Sequence, residues 1–428
     1  MLKLKGSLKI SGDKSISHRA LILSAMSTGK ARITNLLESE DVMSTLNILK
    51  ELGIKIIKDG NNWIVYGNGT GGFIEPKKPL DCGNSGTTAR LMIGAVSSNP
   101  INCTFVGDDS LSRRSMSRVT KHLEEIGAIV HLTKKDYLPL IISGSEKLLP
   151  IKHNILKASA QIKSALIIAA LNIHGKTKIV ENIATRDHTE RLLKFLNVKF
   201  KINKTKKKTS QIELNGPYEF KAKNIDVAGD PSSASFFIVG ALILPKSKIT
   251  LKDVMLNPSR TAFIKVLKSM GGKIKLKKTK QICGEDVGNI TAEYSRLKGI
   301  TIPANQSAYL IDEYPVISVA ASQAKGRTIM KGLDELRYKE SDRIKSIVLN
   351  LKKIGIDVHE VNNNLHILGK KIKVNKDVKI KSFGDHRIAM SFSILNMLYD
   401  NKLKIDNKKC INISYPDFTK HLNYLLQN

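Results

Sequence analysis

The chain has 428 residues, 41% of them hydrophobic and 25% charged, which is the balance of a globular protein long enough for two or three domains. Its longest apolar run, at 165–173, is far shorter than the ~20 residues that cross a bilayer, and the opening MLKLKGSLKISGD contains no long apolar stretch. These features predict neither a membrane segment nor a secretory signal, and we expect a cytoplasmic protein.

The formal net charge of +32 has two interpretations, a lysine-rich solvated surface or a surface that binds polyanions such as nucleic acid. The lysines are spread along the chain and aromatic residues make up only 5%, too few for base-stacking platforms, so we expect no nucleic-acid partner. The four cysteines are scattered without a CxxC pair, which predicts neither zinc nor disulfides.

In chain order, six apolar helical segments each begin with a polar head. They are DKSISHRALILSAM (from 13), NSGTTARLMIGAV (84), SAQIKSALIIAAL (159), DPSSASFFIVGALIL (230), DEYPVISVAAS (312) and DHRIAMSFSILNML (385). Their starts are 71 to 82 residues apart, and most are followed by a small turn and a strand-like stretch. Because these helices are apolar nearly all round, we expect them in the domain cores.

A second helix recurs with the same period. TLNILKELGIKI (from 45), VTKHLEEIGAIV (119), RLLKFLNVKFKI (191), FIKVLKSMGGKI (263) and IVLNLKKIGIDV (347) are amphipathic and end at Gly or Asn, residues suited to the left-handed position after a helix. KHLNYLLQN (420) is a sixth, shortened copy, and the run KTKKKT (204–209) is predicted to be a hairpin tip. The pattern indicates an α/β protein of six units, arranged as two domains of three units each.

The polar heads indicate anion binding. A helix N-terminus offers free N–H groups and partial positive charge, and the scarce arginines, 14 against 56 lysines, cluster at the heads. Ordinary helix capping explains one polar residue per head, but not Lys14, His18 and Arg19 together, nor His386 beside Arg387. We therefore favour a functional cleft into which several heads point.

The stretch LDELRYKESDR (333–343) is the densest group of charges outside the heads. An exposed helix face with paired charges is one interpretation. The other is acid–base chemistry on an anionic substrate, with LIDEYP (310–315) supplying further carboxylates. HExxH, GxSxG and P-loop patterns are absent from the sequence, which argues against zincin, hydrolase and kinase chemistry.

Nine segments, in this order along the chain, resemble the signature segments of the 5-enolpyruvylshikimate-3-phosphate synthase family, and most closely its divergent bacterial branch. They are GDKSISHRA, GNSGTTARL, SAQIKSAL, TRDHTE, GDPSSASF, NPSRT, IDEYP, KESDR and GDHRIAMSF. The resemblance spans nearly the whole chain. It implies two domains, each of three βαβαββ units in an inside-out α/β barrel, with residues 1–12 and 227–428 in one domain, 13–226 in the other, and the active site in the interdomain cleft.

The resemblance also implies the reaction. The enolpyruvyl group of phosphoenolpyruvate is transferred to the 5-hydroxyl of shikimate 3-phosphate and phosphate is released, by a monomer without metal or other cofactor. Two alternatives remain open: the related UDP-N-acetylglucosamine enolpyruvyl transferase, whose mobile loop carries a Cys that SLSRRSMSRV (110–119) lacks, and a basic polyanion-binding protein.

Residue by residue, the resemblance implies the following site. Lys14, Asp312 and Glu340 are catalytic, with Asp312 taking the 5-hydroxyl proton and Glu340 handling the methylene proton. Shikimate 3-phosphate is bound by Lys14, Ser15, Arg19, Ser159, Gln161, Arg186, Asp312 and Lys339. Phosphoenolpyruvate is bound by Lys14, Asn84, Gly86, Arg114, Gln161, Arg343 and Arg387. His386 is expected beside these groups.

Three positions depart from the family pattern. Ser115 stands where proline usually follows the arginine pair, so a less rigid loop is expected, and Ile413 replaces a lysine near the C-terminus. The third is Leu91, which stands where the classical branch of the family has proline. In this family the herbicide glyphosate occupies the phosphoenolpyruvate site, and insensitive members of the divergent branch carry Ala where this chain has Gly86. We therefore expect competitive inhibition, although Leu91 could shift Gly86.

Overall fold

A computed structural model describes residues 2–134, 136–156, 158–204 and 209–427. The chain forms two compact units. The C-terminal unit comprises Met1–Asp13, Ala228–Gln281 and Glu285–Asn428, and the N-terminal unit comprises Lys14–Val227 and Ile282–Gly284. The first strand, β1 (Lys5–Lys9), belongs to the C-terminal unit because it pairs in parallel with the strand that begins at Lys248.

Three repeats build the N-terminal unit, and each combines two helices with a four-stranded sheet. The first has α1 (Lys14–Ala25), β2 (Thr28–Thr34), α2 (Glu40–Glu51), β3 (Lys55–Asp59), β4 (Asn62–Asn68) and the distant β13 (Ile225–Asp226). The second has β5 (Leu80–Asp81), α3 (Gly86–Ser97), β6 (Asn102–Val106), α4 (Ser117–Glu125), β7 (Ile129–Lys134) and β8 (Tyr137–Ser143). The third has β9 (Lys152–Ile155), α5 (Ala160–Ala170), β10 (Gly175–Glu181), α6 (His188–Phe195), β11 (Phe200–Lys204) and β12 (Ser210–Gly216).

The C-terminal unit follows the same plan, with a shorter third repeat. The first repeat has β1, α7 (Pro231–Ile243), β14 (Lys248–Met255), α8 (Ala262–Ser269), β15 (Lys273–Ile282) and β16 (Glu285–Glu293). The second has β17 (Thr301–Ile302), α9 (Ser307–Leu310), α10 (Tyr314–Ser322), β18 (Gly326–Met330), α11 (Arg343–Lys353), β19 (Asp357–Val361) and β20 (Asn364–Gly369). The third has β21 (Val378–Ile380), α12 (His386–Asn396), β22 (Leu403–Ile405) and α13 (Phe418–Gln427).

The sheets share one topology, in which a parallel pair of strands is extended by an antiparallel hairpin. The orders are β13-β2-β4-β3, β5-β6-β8-β7, β9-β10-β12-β11, β1-β14-β16-β15 and β17-β18-β20-β19, and the third repeat of the C-terminal unit keeps only the parallel pair β21-β22. In each unit the first sheet recruits its outer parallel strand from a distant part of the chain. The predicted α/β fold of repeated βαβαββ units is confirmed.

The helices with polar heads form the cores, as their apolar sequences predicted. All thirteen residues of α7 are buried, and so is α1 from Ile16 onward. Helices α3 and α5 pack so closely that a Cβ on Gly94 would lie 2.5 Å from the carbonyl oxygen of Ala165. Because the later turns of these helices are packed in the core, only the residues of the first turn can contact a substrate.

The predicted left-handed residues also end the amphipathic helices. The φ angles are 85° at Gly53, 100° at Gly127, 65° at Asn197, 92° at Gly271 and 87° at Gly355. A side chain is strained at such angles, so Gly or Asn at these positions turns the chain from helix into strand. Strands β11 and β12 pair in antiparallel fashion around the predicted hairpin tip, whose residues 205–208 lie outside the described residues.

No helix within the described parts of the chain combines the length and the apolar character needed to cross a bilayer.

A buried ion cluster joins α5 to its neighbours in the N-terminal unit. The Lys163 ammonium lies 3.0 Å from Glu181 Oε2 at the end of β10 and 2.7 Å from Glu190 Oε1 in α6, and all three side chains are at most 5% exposed. Burial raises the pKa of Glu181, an effect that Lys163 opposes. One cation therefore compensates two carboxylates inside the unit.

Removing that cation should destabilise the protein. Lys163→Met leaves two buried carboxylates without their partner, and breaking a buried pair costs roughly 3–5 kcal/mol. Lys163 opposes the rise in the pKa of Glu181, so its loss raises that folded-state pKa further. The stability of the variant should therefore fall as pH rises, and the loss should be larger near pH ~8 than near pH ~5. Urea unfolding midpoints measure both effects.

The matched control is Lys176→Met. Lys176 pairs with Glu213 at 3.0 Å on the surface, with 54% of its side chain exposed, and such pairs contribute little. Equal midpoint losses for the two variants would contradict the importance of the buried cluster.

Candidate functional site

Arg114 occupies the loop before α4 in the N-terminal unit, and neutral oxygens hold its guanidinium. Its Nη2 donates to Asn84 Oδ1 at 2.6 Å and to Ser110 Oγ at 3.0 Å. Asn84 in turn donates from Nδ2 to Asp108 Oδ2 at 2.7 Å, which fixes the orientation of the amide. The structure thus brings together Asn84 and Arg114, two residues predicted to bind the same substrate.

Arg90 of α3 joins further predicted residues to this group. Its Nη1 donates to Gln161 Oε1 at 2.9 Å and to the Gly86 carbonyl at 3.3 Å, and its Nη2 donates to the Ser115 carbonyl at 3.1 Å. Gln161 also donates to Thr87 Oγ1 at 2.9 Å. We call Asn84, Gly86, Arg90, Arg114 and Gln161 the arginine cluster.

Gly86 leaves room for this arrangement. It is the first residue of α3, after the N-cap Ser85, whose hydroxyl accepts from the Thr88 amide. A Cβ at Gly86 would lie 2.7 Å from Arg90 Nη1 and 3.5 Å from Arg114 Nη1. Any side chain here would therefore displace the Arg90 guanidinium.

Arg19 is also held by neutral oxygens. Its side chain is buried, and it donates from Nε to Thr189 Oγ1 at 2.7 Å, from Nη2 to Ser164 Oγ at 2.7 Å and from Nη1 to the Ser15 carbonyl at 2.8 Å. These acceptors fix the plane of the guanidinium. Ser164 and Thr189 are neighbours in sequence of Lys163 and Glu190, so the buried ion cluster supports them.

Three other predicted residues of this unit lie at helix starts or in loops. Lys14, the first residue of α1, forms an ion pair with Asp41 at 2.8 Å, and 17% of its side chain is exposed. Ser159 caps α5, its hydroxyl accepting from the Ile162 amide at 3.3 Å. Arg186 lies half-buried in the loop before α6.

In the C-terminal unit the guanidinium of Arg343 is held by carboxylates. It is 1% exposed and donates to Asp385 Oδ2 from Nε at 2.8 Å and to Glu340 Oε2 from Nη2 at 2.6 Å. Its Nη1 lies 3.5 Å from Asp312 Oδ1. Burial opposes the charge of Arg343, but the three carboxylates outweigh burial and raise its pKa.

Arg387 approaches the same carboxylate from α12. Its Nε lies 3.6 Å from Asp312 Oδ1, and its Nη1 donates to the Asp312 carbonyl at 3.0 Å. Asp385, the N-cap of α12, accepts from the Arg387 amide at 2.9 Å and from Ser341 Oγ at 3.1 Å. We call Asp312, Glu340, Arg343, Asp385 and Arg387 the carboxylate cluster.

Lys339 and His386 adjoin this cluster. Lys339 is half-buried, and desolvation lowers its pKa, against the opposing effect of Asp312. His386 is fully buried as the first residue of α12. The prediction that Asp312, Lys339, Glu340 and His386 lie near one another is consistent with these positions.

The two clusters differ in the partners of their arginines. Neutral oxygens hold Arg19, Arg90 and Arg114 in the contacts above, so the N-terminal unit can attract anions. Carboxylates hold Arg343 and approach Arg387 in the C-terminal unit, and Arg260 follows the same pattern, at 2.7 Å from Asp13 and 3.0 Å from Asp230. This arrangement fixes carboxylates in place, as proton transfer requires.

Comparison with known proteins agrees with this chemistry. The sequence matches the family EPSP synthase (3-phosphoshikimate 1-carboxyvinyltransferase) over residues 1–422. The chain belongs to the EPSP synthase family. A 3-phosphoshikimate 1-carboxyvinyltransferase from Parvibaculum lavamentivorans is 43% identical over 417 residues, 97% of this chain and 92% of the relative. Another, from Bartonella henselae, is 42% identical over 424 residues, 99% of this chain and 96% of the relative.

A solved structure agrees as well. EPSP synthase from Acinetobacter baumannii superposes with a TM-score of 0.85 at 35% identity, covering 99% of this chain and 96% of that one. The resemblance inferred from the nine segments is therefore confirmed, and the protein is a 1-carboxyvinyltransferase.

Sequence reasoning assigned no role to two residues that organise the clusters. Arg90 was among the arginines at the polar heads, and its position four residues after Gly86 places both on one face of α3. Asp385 opens the head GDHR, but a capping interpretation conceals its ion pair with Arg343, which is 42 residues away in sequence. Both residues therefore stand in segments that the sequence marks as polar helix starts. The sequence does not show that Arg90 contacts Gln161 or that Asp385 pairs with Arg343.

The charge of Asp385 should matter for stability. Asn caps a helix as well as Asp does, so Asp385→Asn retains the cap and removes only the charge beside Arg343. Loss of a buried pair costs roughly 3–5 kcal/mol, and since Glu340 remains we expect a loss near the lower end. Guanidinium chloride unfolding of the variant and the parent measures it.

Asp342→Asn is the matched control. Asp342 caps α11, accepting from the Lys345 amide at 3.0 Å, and pairs with Arg337 at 2.8 Å, with both side chains about one-third exposed. Its midpoint should stay close to that of the parent. A control loss as large as that of Asp385→Asn would show that burial of the pair is unimportant.

Proposed function

We propose that the chain transfers the enolpyruvyl group of phosphoenolpyruvate to the 5-hydroxyl of shikimate 3-phosphate and releases phosphate, with the arginine cluster and the carboxylate cluster acting on the same substrates. The proposal takes its substrates and its residue roles from the family resemblance, and the contacts above support the roles given to the two clusters. One observation supports the catalytic roles most directly: Asp312 and Glu340 both form ion pairs with the buried guanidinium of Arg343.

In this scheme the arginine cluster holds phosphoenolpyruvate. The substrate carries a phosphate and a carboxylate, and planar guanidiniums bind both kinds of group through paired N–H donors. Arg114 and Gln161 supply donors, supported by Asn84 and Arg90. Lys14 contacts both substrates, and Ser15, Arg19, Ser159 and Arg186 bind shikimate 3-phosphate.

The carboxylate cluster carries out the proton transfers. Asp312 takes the proton of the 5-hydroxyl as the hydroxyl oxygen attacks C2 of phosphoenolpyruvate, and Glu340 donates a proton to the methylene carbon, which becomes a methyl group. Phosphate then leaves the tetrahedral intermediate as the methyl group returns a proton to Glu340, and the enol ether of the product forms. Arg343 and Arg387 stabilise the developing negative charge, and Lys339 binds shikimate 3-phosphate.

One nitrogen of Arg343 supports a role in binding. Its buried Nη1 makes no hydrogen bond within the described residues, and its ion-pair partner, Asp312 Oδ1, lies 3.5 Å away. A buried guanidinium N–H without a partner is costly, and a carboxylate or phosphate oxygen of the substrate would satisfy it. Arg343 therefore holds Asp312 and Glu340 and also offers an N–H group to the substrate. The cytoplasmic location and the monomeric state stay predictions.

A coupled phosphate-release assay tests the function and the catalytic assignment together. The parent enzyme should release phosphate from phosphoenolpyruvate with shikimate 3-phosphate and not with UDP-N-acetylglucosamine. Asp312→Asn should lower kcat by on the order of a hundredfold or more, while calorimetry finds shikimate 3-phosphate binding within about tenfold of the parent.

The exposed Asp377, whose side chain is 64% exposed, provides the control. Asp377→Asn should keep the parent's kcat. A normal kcat in Asp312→Asn would reject that residue as the base, whereas absence of turnover in the parent would reject the proposed reaction.

Gly86→Ala tests the arginine cluster. The new methyl would lie 2.7 Å from Arg90 Nη1, so the Arg90 guanidinium must move from Gln161 and Ser115. If glyphosate occupies this site as in the family, the variant should raise its inhibition constant much more than the KM for phosphoenolpyruvate, because the larger ligand loses space first. Steady-state inhibition kinetics measures both constants.

Gly71→Ala is the control, since its Cβ would lie 3.4 Å or more from its neighbours, at the side chain of Asn172. It should leave both constants unchanged. An unchanged ratio of the two constants in Gly86→Ala would place the inhibitor away from Gly86.

A further inference from the structure

Three metal-ligating side chains meet in the N-terminal unit, on residues to which the proposed reaction assigns no role. His122 and Glu125 lie three residues apart on α4, and His153 lies on β9. A spacing of three residues places two side chains on the same face of a helix, where they can share one ligand. The third side chain comes from a different element, 28 residues after Glu125.

The donor atoms have the separations of a metal site. His122 Nδ1 lies 3.2 Å from Glu125 Oε2, and His153 Nδ1 lies 3.8 Å from the same oxygen. All three residues can place one ligand atom within 4.8 Å of the other two. Bonds of 2.0–2.1 Å at tetrahedral angles would separate the donor atoms by about 3.3 Å, so small side-chain rotations complete the geometry.

His153 distinguishes this group from an ordinary surface hydrogen bond. A helix-surface pair of His122 with Glu125 needs no metal. His153, however, is 1% exposed, and its buried Nδ1 has no hydrogen-bond partner within the described residues. A buried polar nitrogen without a partner is rare in a native fold, and this one lies on the side of Glu125.

We propose that His122, Glu125 and His153 bind one Zn²⁺ ion. Two imidazoles and one carboxylate form a donor set typical of zinc, and three protein ligands leave a fourth position for water. The Glu125 side chain is 53% exposed, so the ion can enter from solvent. The expectation that the protein binds no zinc rested on cysteine spacing, which does not detect histidines that come together from a helix and a strand.

The ion would join two elements that lead to the candidate site. Helix α4 follows the loop that carries Arg114, and β9 precedes Ser159 and Gln161. Zinc would therefore clamp α4 to β9 and stabilise the N-terminal unit. The ion has no part in the proposed proton transfers.

Metal binding by the full-length chain, freed of metal with a chelator, tests the proposal. Zn²⁺ is titrated in competition with a chromophoric chelator, with Co²⁺ as a spectroscopic probe and Mg²⁺ as the negative control. The parent should bind one Zn²⁺ per chain, gain thermal stability from Zn²⁺ but not from Mg²⁺, and show the visible absorption of tetrahedral Co²⁺.

Two ligand variants and one control distinguish Zn²⁺ binding at this site from Zn²⁺ binding by other histidines. Glu125→Gln and His122→Asn should weaken Zn²⁺ binding by at least about tenfold and abolish the thermal gain. Both residues are partly exposed, so unfolding in chelator should match the parent and show that the variants fold. His131→Asn alters an exposed histidine on β7 and should bind like the parent.

Parent-like Zn²⁺ affinity in Glu125→Gln and His122→Asn would overturn the proposal, as would the absence of stoichiometric Zn²⁺ binding by the parent. A Co²⁺ spectrum without tetrahedral character would overturn the assigned donor set.

Discussion

The placement of the candidate site depends on how each buried or half-buried guanidinium is compensated. A charge removed from water needs oxygen atoms around it, and the choice between neutral and anionic oxygens decides what the charge can still do. Hydroxyls, amides and carbonyls hold Arg19, Arg90 and Arg114 in the N-terminal unit. These acceptors orient the guanidinium groups, whose planar N–H donors suit an incoming carboxylate or phosphate.

In the C-terminal unit, carboxylates rather than neutral oxygens surround the guanidinium of Arg343. Arg343 lies between Glu340 and Asp385, with Asp312 close to its third nitrogen. The arginine holds these carboxylates at fixed positions, and they in turn compensate its charge in a buried place. Groups that move protons need such fixed positions more than they need net charge, since proton transfer occurs only over hydrogen-bond distances.

The repeated unit explains why these residues lie at helix starts. Helices such as α7 are buried along their whole length, so only their first turn can present polar groups. Capping residues already occupy that turn, and Asp385 shows how one side chain serves both purposes, accepting from the Arg387 amide and pairing with Arg343. Close packing of α3 on α5, with Gly94 at the contact, holds Arg90 and Gln161 within reach of each other.

The sequence by itself determined the local structure and the family. The repeated units were predicted from helix periodicity, from the polar heads and from Gly or Asn after the amphipathic helices. These patterns depend only on residues close together in sequence. Gly53, whose φ is 85°, is one example. Motif order predicted the family, and with it Asn84, Arg114, Asp312 and Glu340. Tertiary structure alone decided the pairings: Arg90 with Gln161, Arg343 with Asp385, and His153 with the His122–Glu125 pair. These contacts join residues 28 to 71 positions apart in sequence, and folding of the backbone, which no local pattern encodes, brings them together.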